Sequence, residues 1–322
     1  MTEHTRRTLL GAAAALPVLG TSLGATARAA QGDTKLIILG TLGGPAVGAA
    51  RYNTSHVLLH AGAAYVVDCG YGVTEQLVRA GVKLPSVRDV FVTHHHPDHN
   101  IELGTLIYFA WYYGRSEPLG IYGPPPIGHM TRAYLDAQKP DVDIWVKDIG
   151  HKPMPPVNVH EIVRAGPVMH DENVRVTAAI VQHPPVTPAL GYRFDFPGRS
   201  IAFSGDTAPS EAVVQLAKGA DVLVHEAIYL EALPGGRGFA PLPRATGSPD
   251  NASDPKKLLE HLIRSHSPAE EVGRIAAEAG VKTLVLSHLA PAPPTVPEET
   301  WRAEAAKHFK GEIIVARDLM VI

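Results

Sequence analysis

Thr93-His94-His95-His96-Pro97-Asp98-His99-Asn100 is the stretch on which the fold of this chain turns. It follows Val90, Phe91 and Val92, an apolar run with the composition of a buried strand. Four imidazoles and a carboxylate therefore leave one strand end together. Neutral imidazole suits zinc and carboxylate oxygen suits harder cations, so His94, His96, Asp98 and His99 in one turn can serve two adjacent metals. Pro97 stiffens the turn by fixing its own φ and restricting His96 before it. A histidine-rich tract can also be a solvated loop that picks up metal adventitiously. The spacing His-x-His-x-Asp-His directly after a strand argues for a built site instead.

At these residues the sequence resembles the metallo-β-lactamase superfamily, and the resemblance runs over residues 36–322. It implies an α+β fold, the αββα sandwich, in which two face-to-face β-sheets carry helices on the outside. Pattern alone says only α/β or α+β. The resemblance further implies ligands far downstream, each at a strand end. Such ends are offered by His183 before Pro184-Pro185, by Asp206 in Ser204-Gly205-Asp206-Thr207, and by His288 after Ser287. By resemblance, His94, His96 and His183 hold one metal and Asp98, His99 and His288 the other, with Asp206 as the bridge. The partition is chemically coherent. Three imidazoles leave a first zinc electrophilic with one position open, and a carboxylate-rich second site is harder. Two divalent ions roughly 3.5–4 Å apart, here expected to be Zn²⁺, can share a hydroxide whose pKa falls to near 7. Asp98 thus counts both as a ligand and among the catalytic groups. Asp68, at the end of a strand over 64–67, is implied to brace the metal loop through hydrogen bonds. His95 is expected to point away, and His56, His60, His129, His151, His160, His170, His261 and His308 to be ordinary surface or core histidines.

Two more segments choose a branch. His225-Glu226-Ala227 and His266-Ser267 resemble the RNase Z branch, shared with related phosphodiesterases and some exported arylsulfatases. There Glu226 would orient His266, which would protonate the leaving oxygen. A departing alkoxide needs such a carboxylate–histidine pair. The resulting expectation is a dinuclear hydrolase of a small-molecule ester, a phosphodiester or an aryl sulfate. Opening of a β-lactam or lactone is the second enzyme reading, and a non-catalytic metal-binding protein the third.

Composition bounds the rest. The 322 residues, 45% hydrophobic and 19% charged, can bury a large core. The single cysteine, Cys69, excludes an intramolecular disulfide and a Cys-rich metal site. Residues 1–29 read as a signal peptide: Arg6-Arg7, a short apolar core over 11–20, and Ala27-Arg28-Ala29 before cleavage. The paired arginines resemble a twin-arginine signal, so a mature hydrolase domain over 30–322 is expected outside the cytoplasm, periplasmic or secreted. No other apolar run is long enough to span a bilayer. The net charge of −3, the lack of a basic arm and the export signal together argue against nucleic acid as a partner. The oligomeric state is open, with a dimer compatible with the resemblance.

Strands are expected over 35–39, 54–60, 64–67, 119–122, 157–163, 174–181, 189–196, 200–203, 221–224, 282–286 and 312–315. Helices are expected over 73–80, 101–113, 127–138, 268–279 and 297–308. Residues 40–45 read as a turn-rich loop, 139–156 as irregular surface chain, and 233–254 as an inserted loop able to act as a lid. Phe109, Trp111, Tyr112 and Tyr113 read as core or as a pocket wall.

Overall fold

The computed structural model describes residues 34–47, 50–233 and 254–322. Residues 1–29, read as an export signal, and all but the two end residues of the 233–254 lid reading lie outside them. The first half of the chain forms β1 (Lys35–Gly40), β2 (Ser55–His60), β3 (Ala63–Val67), β4 (Val87–Phe91), β5 (Leu119–Gly123) and β6 (Val157–Glu161). Helices α1 (Val73–Arg79), α2 (Pro97–Asn100), α3 (Leu103–Tyr112) and α4 (Ile127–Lys147) connect them. The second half forms β7 (Gly166–His170), β8 (Arg175–Val181), β9 (Ala189–Phe196), β10 (Arg199–Phe203), β11 (Val222–Ile228), β12 (Thr283–Ala290) and β13 (Glu312–Val315). It also holds α5 (Glu211–Ala217), α6 (Pro255–Ser265), α7 (Ala269–Ala279) and α8 (Glu298–Ala305). A last strand, β14 (Met320–Val321), returns to the first sheet, whose order is β14-β1-β2-β3-β4-β5-β6. The second sheet runs β13-β12-β11-β10-β9-β8-β7.

Strand alternation explains the layering. Along β1, Leu36 and Ile38 join one apolar cluster while Ile37 and Leu39 join another. Tyr65 and Val67 of β3 likewise split from Ala64 and Val66. A strand buried on both faces reads as a continuous apolar run, as β3 does. One cluster lies between the sheets, where Phe91 of β4 meets Phe194 and Tyr192 of β9 at ring distances of 5.0 and 5.5 Å. The other two pack the outer faces, against α1 and α3 on the first sheet and α5, α7 and α8 on the second. This is the expected αββα sandwich. Strands β1, β3 and β4 share one direction in the first sheet, as do β8, β10, β11 and β12 in the second. Their C-terminal ends bear the chemistry.

Two local expectations change, and the core reading of the α3 aromatics holds for Trp111. Residues 139–147 are not irregular, because α4 continues through Pro140. The proline removes one donor, but Asp136, whose carbonyl it would have served, is exposed to water. Ion pairs of Asp143 with Lys139 and Lys147 support the continued turns. The aromatic group of α3 packs on Trp145 and His151, and Trp111 donates Nε1–H to the Lys152 carbonyl. The edge strands β7 and β14, weakly apolar and short, exist by pairing with β8 and β1. Phe91→Ala should destabilise the fold by ~3–5 kcal/mol in urea unfolding. A loss below about 1 kcal/mol would mean that the sheets do not depend on this contact.

Candidate metal centre

Asp68 organises the first loop. It follows β3 with a left-handed backbone, φ +63°, and accepts from Thr93 N at 2.8 Å and from Thr93 Oγ1 at 3.0 Å. The His99 Nδ1–H donates to Asp68 at 2.8 Å, while His94 Nδ1 meets Thr93 Oγ1 at 3.1 Å. Both rings therefore present Nε2 forward, the arrangement of metal-ligating histidines with an anchored second nitrogen. His183, beyond β8, is fixed the same way by the Ser265 carbonyl, 2.9 Å from its Nδ1. His95 turns away to the Pro124 carbonyl at 2.8 Å.

His288 was expected beyond a strand end, yet it lies inside β12. Glu226 pairs with Ser287 and Ala227 with Leu289, so His288 is the extra residue of a β-bulge, with φ +46°. A bulge re-aims one side chain without ending the strand. Gly43 gives it room, since a Cβ there would sit 2.9 Å from the His288 ring. The neighbouring Gly44 N donates to Asp98 Oδ2 at 2.9 Å. Sequence reading marked 40–45 only as turns. The paired glycines were the available signal.

All seven candidate ligands come together. His94, His96, His183 and Asp206 each place one donor atom within 4.8 Å of the others, and so do Asp98, His99 and His288. Asp206 Oδ2 stands between the groups, 3.2 Å from His288 Nε2, 3.3 Å from His99 Nε2, 3.7 Å from His94 Nε2 and 4.0 Å from His183 Nε2. The donors fit a cation. His94 Nε2 and His183 Nε2 face His96 Nδ1 at 3.1 and 3.2 Å, where imidazole lone pairs repel unless a positive charge joins them. His99 Nε2 is buried without a hydrogen-bond partner.

Electrostatics prepares the same set. Burial holds His94 well below the usual imidazole range and His96 at about 4, so both are neutral donors. Burial opposes charge on His99 too, but Asp206, Asp98 and Asp68 outweigh it and hold its pKa well above normal. Burial would raise Asp98 and Asp206, yet His99 and His288 keep both carboxylates lowered. A cation entering this site thus displaces a proton from His99.

Beside Asp206 lies a second buried pair. His266, the residue after α6, places Nδ1 3.1 Å from Glu226 Oε1 and 3.9 Å from Asp206 Oδ2. Glu226 Oε1 also accepts from Thr207 N at 2.9 Å and Ser267 N at 3.3 Å, which fixes the carboxylate. Asp206, His266 and His288 form a further close group, so the pair borders the ligand cluster directly.

The sandwich and this cluster define a metal-dependent hydrolase. The Beta-lactamase superfamily domain matches residues 64–289, and the chain belongs to the metallo-β-lactamase superfamily. Within it, the chain is similar to Ribonuclease Z of Mycobacterium bovis (strain BCG / Pasteur 1173P2), 35% identical over 292 residues, covering 88% of this chain and 96% of that one. Ribonuclease Z of Mycobacterium tuberculosis (strain ATCC 25618 / H37Rv) is 33% identical, with 88% and 96% covered. Among solved structures, human tRNase Z, short form, superposes with a TM-score of 0.63 at 21% identity, covering 89% of this chain and 98% of that one. A metallo-β-lactamase fold protein from Bacillus subtilis gives a TM-score of 0.64 at 20% identity, with 90% and 98% covered.

These relatives correct one expectation. A small-molecule ester with nucleic acid set aside does not stand, because the curated relatives are ribonucleases. The net charge misled for a physical reason: it sums the whole surface, whereas bound divalent cations are the largest local charges a phosphodiester meets at such a site.

Asp68→Asn should weaken metal retention by about 10–100-fold, as loss of a ligand's hydrogen-bond partner does, measured by metal analysis after graded chelation. Metal uptake should release protons, and affinity should fall as pH falls, because His99 must lose its proton to ligate. Titration calorimetry in buffers of different ionisation enthalpy reads this directly. Identical heats in all buffers would contradict the displaced proton.

Proposed function

We propose that this chain is a dinuclear zinc phosphodiesterase acting on RNA. His94, His96, His183 and Asp206 would hold one cation, and Asp98, His99, His288 and Asp206 the other. Bound there, divalent cations acidify a water and stabilise negative charge on phosphoryl oxygens. The remaining task falls to the chain: a ribose oxygen leaves as a basic alkoxide and needs a proton.

The observation that carries this reading is the Glu226–His266 pair beside Asp206. Burial alone would lower the His266 pKa, but the Glu226 and Asp206 carboxylates push it up to about 9. The imidazole therefore holds a proton at neutral pH. Its Nδ1–H donates to Glu226 Oε1, which leaves Nε2–H as the group that gives its proton to the departing oxygen. Glu226 sets the ring's tautomer and orientation. The names of the curated relatives support RNA as the substrate class. Lactam or lactone opening, which keeps its leaving atom tethered, has no comparable use for the pair.

His266→Ala should lose ~10²–10⁴-fold in kcat/KM on RNA and on alkyl phosphodiesters, and far less on a p-nitrophenyl ester whose anion leaves unaided. Metal content should not change. In the wild type, kcat/KM on the alkyl ester should fall as pH rises through the acid's pKa, since neutral imidazole has no proton to give at Nε2 without losing its bond to Glu226. That limb should vanish in His266→Ala. Parallel losses across leaving groups would remove the acid assignment. Hydrolysis of a nitrophenyl phosphodiester with no cleavage of any RNA offered would remove RNA as the substrate.

A further inference from the structure

Beside ligands His99, Asp206 and His288, and lined by both sheets, lies a cavity of about 20 Å³, room for one water. Its lining includes His56 of β2, Ser287 of β12, Asp206 and Glu226. His56 was read as an ordinary histidine, yet it is 4% exposed and its Nε2 meets Ser287 Oγ at 3.3 Å, a hydrogen bond from one sheet to the other. Ser287 is the residue immediately before the His288 bulge.

Five polar atoms on residues lining this cavity lack partners, each on a residue at most 4% exposed: His99 Nε2 and His288 Nδ1 on two ligand rings, and His56 Nδ1, Asp206 Oδ1 and Glu226 Oε2, which the ligand cluster does not use. Leaving a buried polar group unpaired costs ~1–3 kcal/mol, more when it is charged. Each carboxylate already uses its other oxygen, Asp206 Oδ2 toward the four histidines and Glu226 Oε1 toward His266. The remaining oxygen of each is buried and unpaired, on a residue that lines the cavity.

We propose that this cavity is a binding site for a single ordered water, and that His56 is a positioning residue which holds it against Asp206 and Glu226. The hydrogen bonds balance. Burial keeps the His56 imidazole neutral, with its pKa down at about 3, so it has one N–H and one lone pair. Its Nε2 accepts the Ser287 hydroxyl, its Nδ1–H donates to the water, and the water donates once to Asp206 Oδ1 and once to Glu226 Oε2. One molecule thereby couples the residue shared by both ligand groups to the residue that orients His266. The inference rests on the cation-holding role of Asp206, and not on RNA as the substrate.

A crystal structure of the metal-loaded protein should show one water within hydrogen-bond distance of Glu226 Oε2 and His56 Nδ1. Ser287→Ala and His56→Phe should each weaken resistance to a chelator about 10–100-fold, the range for loss of an outer partner. Both should alter the visible spectrum of the cobalt-loaded protein, and His56→Gln, which keeps a donor, should restore part of each loss. A dry cavity overturns the proposal. So does wild-type chelator resistance and cobalt spectrum in Ser287→Ala, a variant that barely changes core volume and decides the matter if His56→Phe does not fold. Protein that cleaves no RNA but shows the water and the chelator effects overturns the RNA reading and leaves this one intact.

Discussion

Asp206 Oδ2 sits within 4.0 Å of five histidine nitrogens drawn from both halves of the chain. A buried carboxylate is costly unless paired, and buried imidazoles facing one another are costly unless a positive charge joins them. The cluster is therefore mutually dependent, and cations resolve both costs at once. The rest of the molecule acts to hold these groups at that separation. Two sheets with largely buried central strands supply the rigidity, and the strand ends supply the directions.

Each ligand is aimed by a different local device. Asp68 ties His99 directly and His94 through Thr93, the Ser265 carbonyl holds His183, and the β12 bulge swings His288 inward. Non-glycine residues with positive φ at Asp68 and His288 carry conformational cost, and both stand beside the cluster. Strain persists only where surroundings over-determine it. Here Gly43 and the paired strand β11 do so for His288, while three hydrogen bonds do so for Asp68.

The same carboxylates divide the titrating groups by role. His94 and His96, whose burial together with neighbouring histidines outweighs the pull of Asp206, stay neutral and suit ligation. His266, between Glu226 and Asp206, is held in its protonated form and suits proton donation. Environment separates them, as the side chain is identical. This division explains why histidine can fill two parts in one site without exchange of function.

The sequence by itself determined the existence of most strands, the metal motif and, through resemblance, all seven candidate ligands with Glu226 and His266. These were legible because apolar runs and short motifs are local patterns, and chemistry at a strand end is visible beside the strand. Tertiary structure alone decided the rest. Whether residue 288 ends a strand or bulges from one depends on its pairing with β11, which no neighbour in sequence reports. His56 lies 231 residues from Ser287, so its place under the site arises only when two sheets stack. The edges β7 and β14 exist because partners offer free hydrogen-bonding groups, and α4 passes Pro140 because its freed carbonyl finds water. Local propensity fixes what a segment can become, and the long-range contacts select among those forms.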